Sequence, residues 1–250
     1  VREKVVCYPH TQGSSNKELI ENSKKAVDEG WKFVRWGQPE THGTFEQGDL
    51  SQEFPGRLEP VESVKIATEQ MSLVRDAVGD DMKLMLDSMW SYQYEDAMRV
   101  GRAIEDLSFY WYEDPLVEED IYNYKKLHQK LDIPIMSTEY APGRFYGMAE
   151  WITEYATDFL RGDVAVTGGI TPMVRLANLA EGFNMKCEIH HGGNSLNNVA
   201  NLHITMAVPN CEFFEFFPCT GANMFGLVAV SYTHLRAHET PEQRVCRLVL

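Results

Sequence analysis

The segment 82–139 decides the fold. It contains three short apolar runs that each end in an acidic residue, namely MKLMLD at 82–87, FYWYE at 109–113 and IPIMSTE at 133–139. Two amphipathic stretches separate these runs, and their apolar residues recur with a helical period. Short apolar runs that alternate with helices are typical of parallel strands joined by helical crossovers.

The same alternation continues on both sides of this segment and gives eight strand candidates. They are Val5–Tyr8, Phe33–Gly37, Met82–Leu86, Phe109–Tyr112, Ile133–Met136, Phe159-Leu160, Lys186–Ile189 and Phe213-Phe214. Eight such units predict an α/β fold, a (β/α)8 TIM-type barrel. A doubly wound open sheet is the alternative, and it is disfavoured because no glycine-rich phosphate-binding turn follows the first strand.

Helices are predicted between these strands, and one long loop interrupts them. The predicted helices are Asn16–Glu29, Val61–Val78, Tyr92–Leu107, Ile121–Leu131, Gly147–Thr157, Thr171–Phe183 and Leu196–Ala207. Gly30 is expected to end the first of them. The polar segment Gln38–Pro60 predicts a loop of the length that usually forms lids or binding loops.

Composition narrows the class of protein. The 250 residues include 37 acidic and 23 basic side chains, a formal net charge of −14, which argues against nucleic acid or an anionic membrane as partner. No apolar run reaches the roughly 18–20 residues of a membrane helix, and the first residues show no secretory signal. The five cysteines never form a CxxC pair, which predicts a reduced, cytoplasmic protein.

One polar residue ends each of the last six strand units at a nearly constant phase. Their successive separations are 26, 26, 24, 28 and 24 residues, and the six are Asp87, Glu113, Glu139, Asp163, His191 and Glu215. Side chains at the carboxyl ends of barrel strands surround a single mouth, where barrel enzymes carry their chemistry.

Three of these residues predict a metal site. Asp87, Glu113 and Glu139 would repel one another unless a cation lay between them, and oxygen ligands favour Mg²⁺ over Zn²⁺. The alternative is that each acid merely caps the helix that follows its strand.

The next two strands predict an acid/base pair. Asp163 beside a histidine would orient the imidazole and raise its basicity. Because side chains alternate along a strand, only one of His190 and His191 faces inward, and periodicity does not choose between them. Either histidine could instead be structural. Glu215 could bind substrate or be a rim carboxylate without a role.

Two candidates lie earlier in the chain. Arg35 on the second strand is expected to face the metal from across the barrel and to clamp a substrate carboxylate or hydroxyl, the alternative being a surface salt bridge. His10, after the first strand, is a candidate pocket residue.

Taken together, the ordered motifs resemble the enolase superfamily, and within it the mandelate racemase-like acid-sugar dehydratases. The likeness rests on LMLD at 84–87, WYEDP at 111–115, STE at 137–139, GD at 162–163, GGIT at 168–171, HHGGNS at 190–195 and FFE at 213–215.

The resemblance implies that Asp87, Glu113 and Glu139 bind Mg²⁺. It also implies that Asp163 and His191 form the acid/base dyad, His191 being preferred because a glycine follows it, and that Glu215 hydrogen-bonds the substrate. Arg35 is a further catalytic candidate, and His10 and His190 are candidates for substrate binding. The implied reaction abstracts the proton alpha to the carboxylate of an aldonate or aldarate and eliminates water, giving a 2-keto-3-deoxy acid.

Departures from the family pattern set further expectations. Arg35-Trp36-Gly37 stands where many relatives carry a Lys-x-Lys pair, which weakens a racemase interpretation. The family's amino-terminal α+β cap is not expected in this chain. We expect a barrel domain at 1–230, incomplete at its carboxyl end, and a non-native or disordered tail at 231–250. The full-length form is expected to be a homo-oligomer. An epimerase, a cycloisomerase or an inactive fragment are the alternatives.

Overall fold

The computed structural model describes residues 2–11, 13, 15–37, 60–191 and 195–216. Eight strands lie within these ranges: β1 (Val6–Thr11), β2 (Phe33–Gly37), β3 (Lys83–Asp87), β4 (Trp111–Glu113), β5 (Ile135–Ser137), β6 (Phe159–Gly162), β7 (Lys186–Ile189) and β8 (Phe213–Phe216). They form one sheet in the order β7-β6-β5-β4-β3-β2-β1-β8. Parallel strands in this order, alternating with helices, confirm the predicted (β/α)8 fold class.

Helices follow the strands in turn. They are α1 (Asn16–Asp28), α2 (Pro60–Val78), α3 (Tyr94–Asp106), α4 (Ile121–Lys130), α5 (Phe145–Thr153), α6 (Val164–Thr167), α7 (Ile170–Gly182) and α8 (Ser195–Ala207). Among the described helices, none is long and apolar enough to cross a bilayer.

The chain divides into two compact units. The amino-terminal unit comprises His10–Ser137 and Trp151–Asp158. The carboxy-terminal unit comprises Val1–Pro9, Thr138–Glu150 and Phe159–Leu250.

In the amino-terminal unit, local sequence signals fix both ends of α1. The hydroxyl of Ser15 accepts a hydrogen bond from the backbone N–H of Glu18 at 3.3 Å, which caps the first turn. Gly30 has φ of +84°, a left-handed conformation that glycine adopts without a Cβ clash, and its N–H bonds Val27 O at 2.9 Å. The helix therefore ends where the sequence predicts.

The core of the amino-terminal unit explains the uninterrupted apolar run in the middle of β3. Leu84, Met85 and Leu86 are consecutive and each has no exposed surface. A parallel strand covered on both faces buries residues of both alternation phases. The first polar residue after this run is Asp87, which lies at the end of the strand.

The structure differs from the sequence prediction around β6. The short helix α6 precedes α7, whereas the sequence predicted one helix there. Asp163 accepts a hydrogen bond from Ala165 N at 2.7 Å and so begins α6, and Gly168 ends it in a left-handed conformation with φ of +106°. Of the predicted loop Gln38–Pro60, Pro60 instead begins α2. The rest of that loop, the glycine that follows His191 and the tail at 231–250 lie outside the described residues.

In the carboxy-terminal unit, carboxyl side chains link β7 to β8. Glu188, which is buried, accepts hydrogen bonds from the backbone N–H groups of Glu212 at 2.9 Å and Phe213 at 3.1 Å. Glu215 accepts one from His191 N at 2.9 Å. Burial raises the pKa of Glu188 to about 7, and the two backbone N–H bonds only partly offset that effect.

The pKa of Glu188 predicts a pH dependence of stability. The folded chain holds this proton more tightly than the unfolded chain does, so the free energy of unfolding falls as pH rises from about 4.5 to about 7. Glu188→Gln keeps the acceptor oxygen but does not ionise. We expect the melting temperature of the wild type, relative to this variant, to fall by several degrees between about pH 5 and pH 8.

The control for this experiment is Glu181→Gln, which replaces an exposed acid on α7. It should melt in parallel with the wild type at every pH. Parallel melting of Glu188→Gln and the wild type across the same range would contradict the prediction. Thermal unfolding followed by circular dichroism measures all three proteins.

Candidate active site

A cluster of buried carboxylates lies at the ends of β3 and β4 in the amino-terminal unit. The parallel register pairs Asp87 with Glu113, so both acids stand in the same layer of the sheet. Asp114 follows at once, and one oxygen from each of the three residues lies within 4.8 Å of the others. All three side chains are buried.

Asp114 belongs to this cluster although it was not among the residues predicted from the sequence. Its φ of +43° is left-handed, a conformation that aspartate tolerates better than most residues. Ser137 Oγ donates a hydrogen bond to its carboxylate at 2.8 Å. The pair of adjacent acids at 113–114 was the available signal, but period-two alternation would have turned the second acid away from the first.

Arg35 supplies positive charge to the cluster. Its guanidinium forms an ion pair with Asp87, and its Nε lies 3.2 Å from Glu113 Oε2. Its Nη1 lies 3.1 Å from His10 Nε2. Because β2 pairs directly with β3, Arg35 approaches the acids from the neighbouring strand. The expectation that it faces them from across the barrel is therefore wrong.

The carboxylate cluster has the donor set that a hard divalent cation prefers. Carboxylate oxygens alone, without imidazole or thiolate, suit Mg²⁺ better than Zn²⁺. Three clustered acids, two of them in contact with the single guanidinium of Arg35, also leave a negative balance, which a cation would offset. The residues present thus fit a magnesium ion.

In the carboxy-terminal unit, Asp163 is paired with His190. The distance from His190 Nδ1 to Asp163 Oδ2 is 2.9 Å. Asn197 Nδ2 donates to the same carboxylate at 2.8 and 2.9 Å, and Asn201 Nδ2 donates to His190 O at 2.8 Å. The two asparagines were not predicted from the sequence, and their spacing of one turn on α8 was the signal for them.

The environment of this pair favours its charged form. Burial disfavours charge on His190, but the hydrogen bond that its ring donates to Asp163 and the negative charges of Glu215 and Glu139 outweigh it, so the pKa of His190 is raised. For Asp163, burial is likewise outweighed, here by hydrogen bonds from His190 and Asn197, and its pKa is lowered. An aspartate that orients and charges an imidazole is a usual acid/base arrangement.

His191 has a different environment from its neighbour. It has no exposed surface, and its ring packs against Phe214 with a centroid separation of 4.1 Å. Among the described residues, its ring nitrogens have no hydrogen-bond partner. Burial lowers its pKa to about 3. The structure therefore brings Asp163 together with His190 and not with His191.

Glu215 and Glu139 share a buried arginine in the carboxy-terminal unit. Arg161 Nη2 donates to Glu215 Oε2 at 2.6 Å, and its Nε lies 3.5 Å from Glu139 Oε2. Glu139 Oε1 also lies 3.3 Å from His190 Nδ1. Arg161 has no exposed surface. It was not predicted from the sequence, because an arginine within a short strand usually indicates a solvent-facing position.

Comparison with known proteins identifies the family. Residues 18–241 match the enolase C-terminal domain-like family, so the chain belongs to that family. A D-galactonate dehydratase family member from Marinomonas sp. (strain MWYL1) is 28% identical over 234 residues, which is 88% of this chain. The L-talarate/galactarate dehydratase of Salmonella typhimurium is 31% identical over 148 residues, which is 59% of this chain.

A solved structure shows the same relationship. The D-glucarate dehydratase from Agrobacterium tumefaciens, crystallised in complex with magnesium, is 32% identical, covers 87% of this chain and superposes with a TM-score of 0.73. The chain spans 58% of the Marinomonas relative, 36% of the Salmonella relative and 53% of this solved structure. It thus corresponds to about half the length of such proteins.

The carboxylate cluster generates a prediction about metal affinity. Asp87→Asn, Glu113→Gln and Asp114→Asn each remove one charge, and we expect each to weaken Mg²⁺ binding at least about tenfold. Titration calorimetry measures the affinity. Asp81→Asn is the matched control, because Asp81 is an exposed acid just before β3 and its loss should leave the affinity unchanged. Unchanged affinity in all three cluster variants would exclude the assignment.

Proposed function

We propose that this chain is the barrel half of a Mg²⁺-dependent sugar-acid dehydratase. The observation that carries the proposal is the partly buried Asp163–His190 hydrogen bond of 2.9 Å, in a chain of a family whose matched relatives are dehydratases of sugar acids. The reaction takes the proton alpha to the carboxylate of an aldonate or aldarate and expels the hydroxyl at the next carbon as water. The product is a 2-keto-3-deoxy acid.

The metal would be held by Asp87 and Glu113, with Asp114 beside them in the same cluster. When bound, Mg²⁺ offsets the negative charge that develops on the substrate carboxylate as the alpha proton leaves. The family resemblance assigns Glu139 as a further ligand, and we keep that assignment as part of the proposal. If it is right, Glu139→Gln weakens Mg²⁺ affinity as the cluster variants do.

His190 carries the proton in this proposal. In the neutral ring, Nδ1–H donates to Asp163 and Nε2 is unprotonated, so Nε2 is the nitrogen that accepts the alpha proton. The side chain is 18% exposed, which leaves it reachable by a substrate. The imidazolium then donates the proton to the departing hydroxyl, so one proton moves from carbon to oxygen and one water leaves. This role replaces the one that the sequence and the family resemblance gave to His191.

The remaining candidates have positioning roles. Arg35 keeps the carboxylates of Asp87 and Glu113 together, and its contact with His10 extends that network towards the first strand. Glu215, held by Arg161, orients the backbone after β7 through its bond from His191 N. Direct contact of Arg35, His10 or Glu215 with substrate stays a prediction, as do a homo-oligomeric assembly and a cytoplasmic location.

The test of the proposed function is product analysis. The purified chain is incubated with a panel of aldonates and aldarates, with Mg²⁺ and with excess chelator, and 2-keto acids are detected as semicarbazones. The proposal predicts a 2-keto-3-deoxy acid from at least one substrate with Mg²⁺ and none with chelator. Equal product in both arms, or no product from any acid, would overturn it.

The two adjacent histidines give a matched pair of variants. His190→Asn should lower turnover at least about a thousandfold, because it removes the proton acceptor while leaving the carboxylate cluster intact. His191→Asn should retain turnover within about tenfold, since the buried ring of His191 contacts Phe214 and not Asp163. Steady-state kinetics and Mg²⁺ affinity are measured for both. The reverse order of effects would return the role to His191.

A further inference from the structure

A cleft of about 340 Å³ lies in the carboxy-terminal unit beside Glu139. One wall is the turn 140–144 that follows β5, and the other includes the start of α6. Its lining includes Glu139, Tyr140, Arg144, Ala165 and Val166. Glu139 connects the cleft to the proposed acid/base pair, because its Oε1 lies 3.3 Å from His190 Nδ1.

Arg144 is the cation of this cleft. Its side chain is exposed, and within the described ranges no carboxylate forms an ion pair with it. The buried Arg161 of the same unit is, by contrast, engaged by Glu215 and Glu139. The guanidinium of Arg144 is therefore available to an anion from solution.

The backbone holds Arg144 in place over the cleft. Arg144 has φ of +50° and Gly143 has φ of +81°, so two successive residues are left-handed. The Nη1 of Arg144 lies 3.8 Å from the point that a Cβ at Gly168 would occupy. The guanidinium thus lies beside the glycine turn after α6, at a distance where an added Cβ would make an ordinary van der Waals contact.

We infer that this cleft binds a second carboxylate of the substrate, at the end opposite the reacting one. The inference rests on the proposed function and names its substrate class, dicarboxylic sugar acids. A guanidinium matches a carboxylate with two parallel hydrogen bonds, which a hydroxyl cannot form. In a chain of net charge −14, a second anionic group needs such a local cation to be retained.

Arg144 is accordingly a specificity-determining residue. It discriminates between an aldarate and the aldonate of the same carbon skeleton, which carries a hydroxyl at the far end. It plays no part in the proton transfer at His190, so its loss affects the binding of one substrate class and not the chemistry.

The test compares Arg144→Gln with the wild type on an aldarate and its matching aldonate. We expect kcat/KM for the aldarate to fall about tenfold or more, chiefly through KM, and that for the aldonate to change less than about twofold. Arg144→Lys should recover part of the loss. Arg99→Gln, which removes an exposed arginine on α3, is the control and should change neither value. Equal losses for both acids, or none for the aldarate, would overturn the inference.

A binding arm separates this inference from the proposed function. Calorimetric titration of galactarate and galactonate into His190→Asn, with and without Arg144→Gln, needs no turnover. If galactarate binds more tightly than galactonate and Arg144→Gln abolishes that difference, the carboxylate site in the cleft is supported even when no acid is dehydrated. Only the proposed dehydratase activity is then overturned. If the wild type dehydrates aldonates but His190→Asn binds galactarate no more tightly than galactonate, the inference about the cleft is overturned. The proposed dehydratase activity then stands. Failure to bind galactarate also overturns the inference.

Discussion

The parallel register of β3 and β4 is the constraint on which the candidate site depends. It sets Asp87 beside Glu113 in one buried layer, where two carboxylates repel each other and are poorly solvated. Such a pair is stable only with positive charge close by. Arg35, from the neighbouring strand, contacts both acids and supplies part of that charge. The apolar run of β3 fixes the register and thereby the position of the acids.

In the carboxy-terminal unit, too, an arginine offsets the repulsion between two buried carboxylates. Arg161, which is fully buried, contacts both Glu215 and Glu139. Glu215 in turn accepts a bond from the backbone of His191, and the strand that ends there carries His190 to Asp163. The buried arginine is thus connected to the acid/base pair through one carboxylate and one backbone hydrogen bond.

The sequence predicts the fold class and the phase of the polar residues because both depend on local periodicity. One acid or histidine at the end of each of the last six apolar runs is visible without knowledge of tertiary contacts. The choice between His190 and His191 depends on how the chain leaves β7, which periodicity does not determine. Alternation along a strand does not predict that Asp114 joins the cluster, because its left-handed backbone breaks that alternation.

Arg161 and the helix α6 are two further features that the sequence alone does not predict. An arginine inside a four-residue strand gives no sign that it will be buried, because only its tertiary partners Glu139 and Glu215 make burial tolerable. The helix α6 has four residues, too few for any hydrophobic period, and its existence depends on the cap that Asp163 provides.

The most direct test of the central claim is proton NMR of a sugar acid incubated with the chain and Mg²⁺ in deuterium oxide. Dehydration through an acid/base histidine predicts a 2-keto-3-deoxy acid that carries one solvent deuterium at carbon 3. Exchange of the hydrogen at carbon 2 in the recovered acid, with no keto acid formed, would contradict the account and indicate an isomerase.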